Sequence, residues 1–150
     1  MLSFFFICYN IAFSLFVMTL LSSHKCYRWA SFREAVDETN KSVQAMDNGE
    51  QDVKFQHHIG GAIYVSVMNG YRCVNIRKWF QPEDLNGEIR PTKKGVALRF
   101  NEWRDLCTLI TVINATFPPL NAAQPCFYDG DHMNQLGWLN CKECHPFSRN

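Results

Sequence analysis

The residues whose types and spacing suggest chemistry lie between Val74 and Trp103. There Arg77, Lys78, Arg90, Lys93, Lys94 and Arg99 are spaced among Ile76, Trp79, Phe80, Val96, Leu98 and Phe100. Lys and Arg meet phosphates, and exposed rings stack on unpaired bases, so cations interleaved with aromatics on a sheet suit a single nucleic-acid strand. Two plainer readings compete. Surface cations need no ligand, and Trp79 and Phe80 are of a type found more often in a core than on a platform. Neighbouring strand residues face opposite sides, so one of these two rings can stack on a base while the other packs inside.

A second set closes the chain. Cys126, His132, Cys141 and Cys144 are separated by five, eight and two residues, with His145 adjacent as a spare. Three thiolates and an imidazole match a closed tetrahedral zinc site, and Asp129 or Asp131 would serve as a hydrogen-bond acceptor for the ligand histidine. An unstructured tail with free thiols, or a disulfide in an exported chain, remains the alternative. His57 and His58 form an isolated pair with no ligand spacing around them. Nothing points to catalysis: there is no phosphate-cradling glycine loop, nucleophile elbow, HExxH or paired carboxylate on one element. Cys144 and His145, adjacent in sequence, do not make a nucleophile and its base. The expectation is a binding protein, not an enzyme.

A chain of 150 residues with 47% hydrophobic and 19% charged residues fits one domain with tails. Its net charge of +1 hides an asymmetry: residues 53–104 carry +5 and the remainder −4. Such a basic middle favours an anionic partner. Seven cysteines, an odd number, argue against a simple disulfide scaffold. Residues 1–23 open with an uncharged apolar run long enough for one membrane span or a signal peptide, with Lys25 and Arg28 following it. That segment is an anchor, a signal or a mis-assigned start.

The elements that would position these residues follow from periodicity. Residues 24–52 read as an acidic linker with one short helix around Trp29, Phe32 and Val36, after which the apolar period lapses. From Phe55 the period becomes two. A first strand ends at Gly60-Gly61, and Ile63, Val65 and Val67 alternate in a second. Asn69-Gly70 signals a hairpin with positive φ at both central residues. A third strand runs from Tyr71 to Phe80 and a fourth from about Glu88 to Phe100, interrupted by Pro91 and Gly95. Asn101 suits a helix N-cap, and Trp103, Leu106, Ile110 and Ile113 share a face of the following helix, which stops at Pro118-Pro119. The fold class is thus α+β, a four-stranded antiparallel meander with one C-terminal covering helix over residues 53–116 and a Cys/His-containing tail over 117–150. Roughly 60 residues make a thin core, so a second copy covering Trp103, Ile110 and Ile113 is expected.

Several runs resemble the transcriptional coactivator PC4 (p15) family. They are Tyr64-Val65-Ser66-Val67, the strand Val74-Asn75-Ile76-Arg77-Lys78-Trp79-Phe80, the run from Gly87 to Leu98 (GEIRPTKKGVAL), and Trp103. The resemblance implies a curved sheet, a homodimer with a basic channel, and single-stranded or melted DNA as ligand, with no cofactor required. By position it implies that Arg77, Phe80, Arg90, Lys93 and Lys94 face the strand, with Lys78 and Trp79 beside them. Tyr71 and Arg72 stand in for a longer basic hairpin that this chain lacks, and Phe80 is the favoured stacking ring. It further implies a nuclear protein working with the transcription machinery. The rival reading is a membrane-anchored or secreted cysteine-rich protein that reuses the sheet, with Asn40-Lys41-Ser42 and Asn114-Ala115-Thr116 as formal glycosylation sequons.

Overall fold

The computed structural model describes residues 26–83 and 87–147, so the apolar segment 1–23 lies outside the described residues. Four strands form one antiparallel sheet in chain order: β1 (Lys54–Gly60), β2 (Ile63–Met68), β3 (Cys73–Phe80) and β4 (Arg90–Arg99). The period-two pattern fixes the register. Phe55, Val67, Val74 and Leu98 are cross-strand neighbours in one row, and His57, Val65, Ile76 and Val96 in the next. Because side chains alternate along a strand, these rows build one largely apolar face. The β2–β3 turn departs from the expected hairpin. Gly70 alone has positive φ (87°), the Tyr71 N–H donates to the Met68 carbonyl (3.3 Å), and β3 starts at Cys73. Positive φ at the third position alone is the geometry of a type II turn, which leaves Asn69 in ordinary backbone.

Helix α2 (Phe100–Thr116) follows β4 without a loop, one residue before the expected cap at Asn101. Arg99 takes the N-cap position, and its N–H donates to Glu102 Oε2 at 2.7 Å. Glu102 is therefore the acid that begins the helix, satisfying a backbone donor and facing the positive end of the dipole. Phe100, Trp103, Leu106 and Ile113 are buried against the sheet.

The principal departure concerns the stretch expected to be an acidic linker. Residues 26–47 form α1 (Cys26–Asp47), a helix of 22 residues packed on the same core. Its buried side is Trp29, Phe32, Ala35, Thr39, Val43 and Met46, an unbroken helical spacing. The period lapses in hydropathy only because Ala35 and Thr39 carry it, and Thr39 satisfies its buried hydroxyl by donating to the Ala35 carbonyl (2.7 Å). Two indole–amide pairs join the helices: Trp103 Nε1 donates to Asn40 Oδ1 (2.7 Å) and Trp29 Nε1 to Asn114 Oδ1 (2.8 Å). Phe32 lies edge-on to Trp103. Asp47, at the end of α1, pairs with both Arg72 and Arg104. The surface of Trp103 expected to need a second copy is thus closed within one chain.

After α2 come α3 (Pro118–Ala122), two short 3-10 turns (Cys126–Tyr128 and Gly130–His132) and α4 (Gln135–Asn140). Leu120 anchors α3 in the core. The remaining tail lies against α1 and the β1–β2 turn through polar contacts. Tyr27 Oη donates to Asp129 (2.9 Å), Arg28 Nε donates to Glu143 Oε2 (2.7 Å), and the Gly61 N–H donates to the Glu143 carbonyl (2.9 Å). Among the described residues no helix is long and apolar enough to cross a membrane.

Candidate nucleic-acid interface and a cysteine–histidine cluster

The helices cover one face of the sheet, and the other carries a different chemistry. Its central row runs His58, Tyr64, Arg77, Gly95 across the four strands, flanked by Gln56, Ser66, Asn75 and Ala97. Tyr71, Asn75, Arg77, Trp79 and Pro91 line a shallow groove of about 410 Å³ on this face. Three rings run in contact beside it: His58 to Tyr64 at 4.8 Å between centroids, and Tyr64 edge-on to Trp79 at 5.8 Å. Burial holds the His58 imidazole below its ordinary pKa and the Tyr64 phenol above its own, so both are neutral near pH 7. The charge in this row comes from Arg77.

Arg77 is held in place by its neighbours. Nη2 donates to Asn75 Oδ1 (2.7 Å) and Nη1 to the Thr92 carbonyl (3.2 Å). The latter contact ties it to an irregularity in β4, where Thr92, Lys93 and Lys94 stand opposite Lys78 alone. Thr92 Oγ1 donates to the Lys78 carbonyl (2.8 Å) and accepts from the Lys94 N–H (3.1 Å), which fixes the bulge. Gly95 makes this approach possible. With φ of 148°, a Cβ there would lie 2.3 Å from the Ile76 carbonyl oxygen and 2.4 Å from Arg77 Cα. Trp79 Nε1 and Arg77 Nε are buried in the groove floor without an acceptor among the described residues.

The residues singled out in the sequence separate into three places. Tyr71, Arg77 and Trp79 line the groove, and the exposed Lys93 and Lys94 lie in the β4 bulge opposite Lys78. Phe80, 45% exposed, pairs across strands with Arg90. Alternation puts Phe80 and Lys78 on the side away from Arg77 and Trp79. The ring that shares a face with Arg77 is therefore Trp79, not Phe80, and it is only 5% exposed because Tyr64 and the groove walls pack around it. Arg72 turns to the helix side, where its guanidinium stacks over Phe100 (5.3 Å) and pairs with Asp47. His58 was missed as part of this surface. The signal available was its cross-strand position opposite Tyr64, in the same alternation phase as Arg77.

Elsewhere, the ligand atoms of Cys126, His132, Cys141 and Cys144 all lie within 4.8 Å of one another, a group that could hold a metal ion. The Cys126 and Cys141 sulfurs are 3.8 Å apart. His132 Nδ1 donates to the Cys126 carbonyl, which leaves Nε2 for the cluster. Burial pushes the Cys126 thiol up and the Cys144 thiol up to about 11. Burial opposes ionisation of Cys141, but hydrogen bonds from the Cys144 and Glu143 N–H groups, Cys126 and His132 together turn the net displacement downward. Asp129, expected behind the histidine, instead accepts from Tyr27. Both sequon asparagines accept indole N–H groups through Oδ1.

An open antiparallel sheet, apolar and helix-covered on one face and carrying Arg77 and aromatic rings on the other, defines the class as an α+β domain whose second sheet face no helix of the described residues covers. Within it, residues 62–109 match the family model described as Transcriptional Coactivator p15 (PC4), so the chain carries a PC4-like domain. The match begins at β2 and ends inside α2, so α1 and the cysteine tail lie outside it. No curated protein and no solved structure matches the chain.

Proposed function

We propose that this protein binds single-stranded DNA across the open face of its sheet and acts as a transcriptional coactivator in the nucleus, in contact with the transcription machinery. The observation that carries the reading is the joint placement of Arg77, Trp79 and Tyr71 in one groove, with Lys93 and Lys94 exposed on the β4 bulge between the Arg77 and Trp79 pairings. Phosphates running along the β4 bulge would meet the two lysines, while unpaired bases would lie against the 71%-exposed Tyr71 ring, with the buried Trp79 supporting the groove floor. Arg90, Lys78 and Phe80 extend the basic surface around the end of β3. Binding of this kind needs no cofactor and no catalysis, and any metal in the tail serves structure.

A homodimer belongs to the same proposal, resting on the family resemblance and on α2's outer side. Leu109 and Val112 remain exposed there, at 39% and 57%. They, not Trp103, would form the contact.

The test is fluorescence anisotropy of labelled oligo-dT and of a duplex of equal length with the full chain. Binding to oligo-dT that is at least about tenfold tighter at moderate salt, a difference of about 1.4 kcal/mol, supports the proposal. Equal affinity for the two rejects it.

A further inference from the structure

We propose that Cys126, His132, Cys141 and Cys144 bind one zinc ion as a closed structural site, and that this ion is what folds the tail. Two independent observations carry the proposal. The first is geometric. Zinc–sulfur bonds of about 2.3 Å in a tetrahedron place two sulfurs about 3.8 Å apart. The Cys126 and Cys141 sulfurs stand at 3.8 Å, and the other two ligand atoms fall within 4.8 Å of them. That separation is far beyond a disulfide bond, which needs about 2.05 Å. The histidine is already oriented: its Nδ1–H is spent on the Cys126 carbonyl, so Nε2 is presented as the fourth ligand.

The second observation is energetic. From Ala123 to Phe147 the only buried residue is Pro125. Met133 is 88% exposed, Leu136 73% and Tyr128 61%, so the segment has almost no apolar core of its own. Two 3-10 turns and a six-residue helix do not persist on backbone hydrogen bonds alone. Yet the four ligands come from four separate local structures: the start of one 3-10 turn, the end of the next, the cap of α4 and the turn after it. A metal joining those four points supplies the cross-link that burial does not. With four protein ligands the ion has no open position, so its role is structural and separate from the strand-binding face.

The ion's reach extends beyond the tail. Glu143 lies between Cys141 and Cys144, pairs with Arg28 of α1 and accepts the Gly61 N–H of the β1–β2 turn. Coordination therefore fixes the point at which the tail docks on the domain.

The experiment uses the full chain purified with zinc present and without chelator. Metal analysis should give close to one zinc per chain. Replacement by Co²⁺ should give the intense visible band of tetrahedral cobalt with thiolate-to-cobalt charge transfer. Cys144→Ser should lose most of the bound zinc, and Cys73→Ser, in the sheet, should keep it. Chelation of wild-type zinc should speed hydrogen exchange across residues 123–147 while β2 and β3 stay protected, a readout that does not depend on any variant folding. Zinc content near zero, a weak octahedral cobalt spectrum, full loading of Cys144→Ser, or a tail whose exchange ignores chelation would each overturn the proposal.

Discussion

Phe32→Ala asks whether α1 belongs to the core. Phe32 is fully buried, with its ring 5.5 Å from that of Trp29 and edge-on to Trp103 at 6.0 Å. Removing a buried phenyl ring loses its transfer free energy and leaves a cavity, a cost of about 3–5 kcal/mol. Collapse around the gap is resisted, because Trp29 and Trp103 are each pinned by an indole–amide bond to Asn114 and Asn40. The upper half of the range is therefore expected. With a urea m-value of about 1–3 kcal/mol per molar, the midpoint should fall by more than about 1 M. Asp37→Ala, on the exposed side of the same helix, should stay within about 0.5 kcal/mol of wild type. A double-mutant cycle between Phe32 and Trp103 should return a coupling of about 0.5–1.5 kcal/mol for the ring pair. If Phe32→Ala matches Asp37→Ala, α1 is not packed on the sheet and the account of the core is wrong.

Three further outcomes are expected. Gly95→Ala should destabilise β3–β4 pairing by about 1–3 kcal/mol, because its Cβ would fall 2.4 Å from Arg77 Cα; unchanged thermal unfolding would refute the close approach. Burial lowers the pKa of His57, against the pull of Glu34, and that of His58, against the Gly61 carbonyl and Glu143 and in the same sense as His57 and His145. The unfolded chain then takes up protons first as the pH drops below the ordinary value of 6.5, so the stability these neutral rings contribute is intact above it and lost on acidification. The fall in urea midpoint between about pH 7.5 and about pH 5.5 should shrink in a His57→Gln/His58→Gln variant, and an equal fall in both proteins would count against it. Arg28→Ala removes the partly buried partner of Glu143, worth about 1–3 kcal/mol, and should release the Gly61 amide from protection in hydrogen exchange; a Gly61 amide that stays protected would show that the tail docks by other contacts.

How far the sequence reveals this structure depends on which residues carry each signal. The sheet was legible because Val65, Val67, Val74 and Ile76 alternate strictly and only one phase can face the helices. Helix α1 was not, since the buried turns between Phe32 and Val43 are filled by Ala35 and the polar Thr39, small side chains that leave the apolar period weak. Its acids mislead in the same way. Asp47 looks like a linker charge but binds Arg72 and Arg104, which in turn withdraws Arg72 from the basic set. The choice between Trp79 and Phe80 depended on which phase faces out at the end of β3. That required the register across the β4 bulge, which no local pattern encodes. The cysteine spacing was legible as a ligand set, whereas its attachment through Glu143 to the Gly61 turn depends on contacts about 80 residues apart in the chain.

The strand-binding face is tested most directly by the salt dependence of oligo-dT affinity in wild type, Arg77→Ala and Arg104→Ala, with each variant's folding checked by circular dichroism. Arg77 lies on the open face, and Arg104 sits on α2 beside Asp47. Each phosphate contact contributes about −0.7 to the slope of log affinity against log salt. Arg77→Ala should therefore bind more weakly with a slope shallower by about 0.7, and Arg104→Ala should match wild type. Equal losses in the two variants, or a loss confined to Arg104→Ala, would contradict the account.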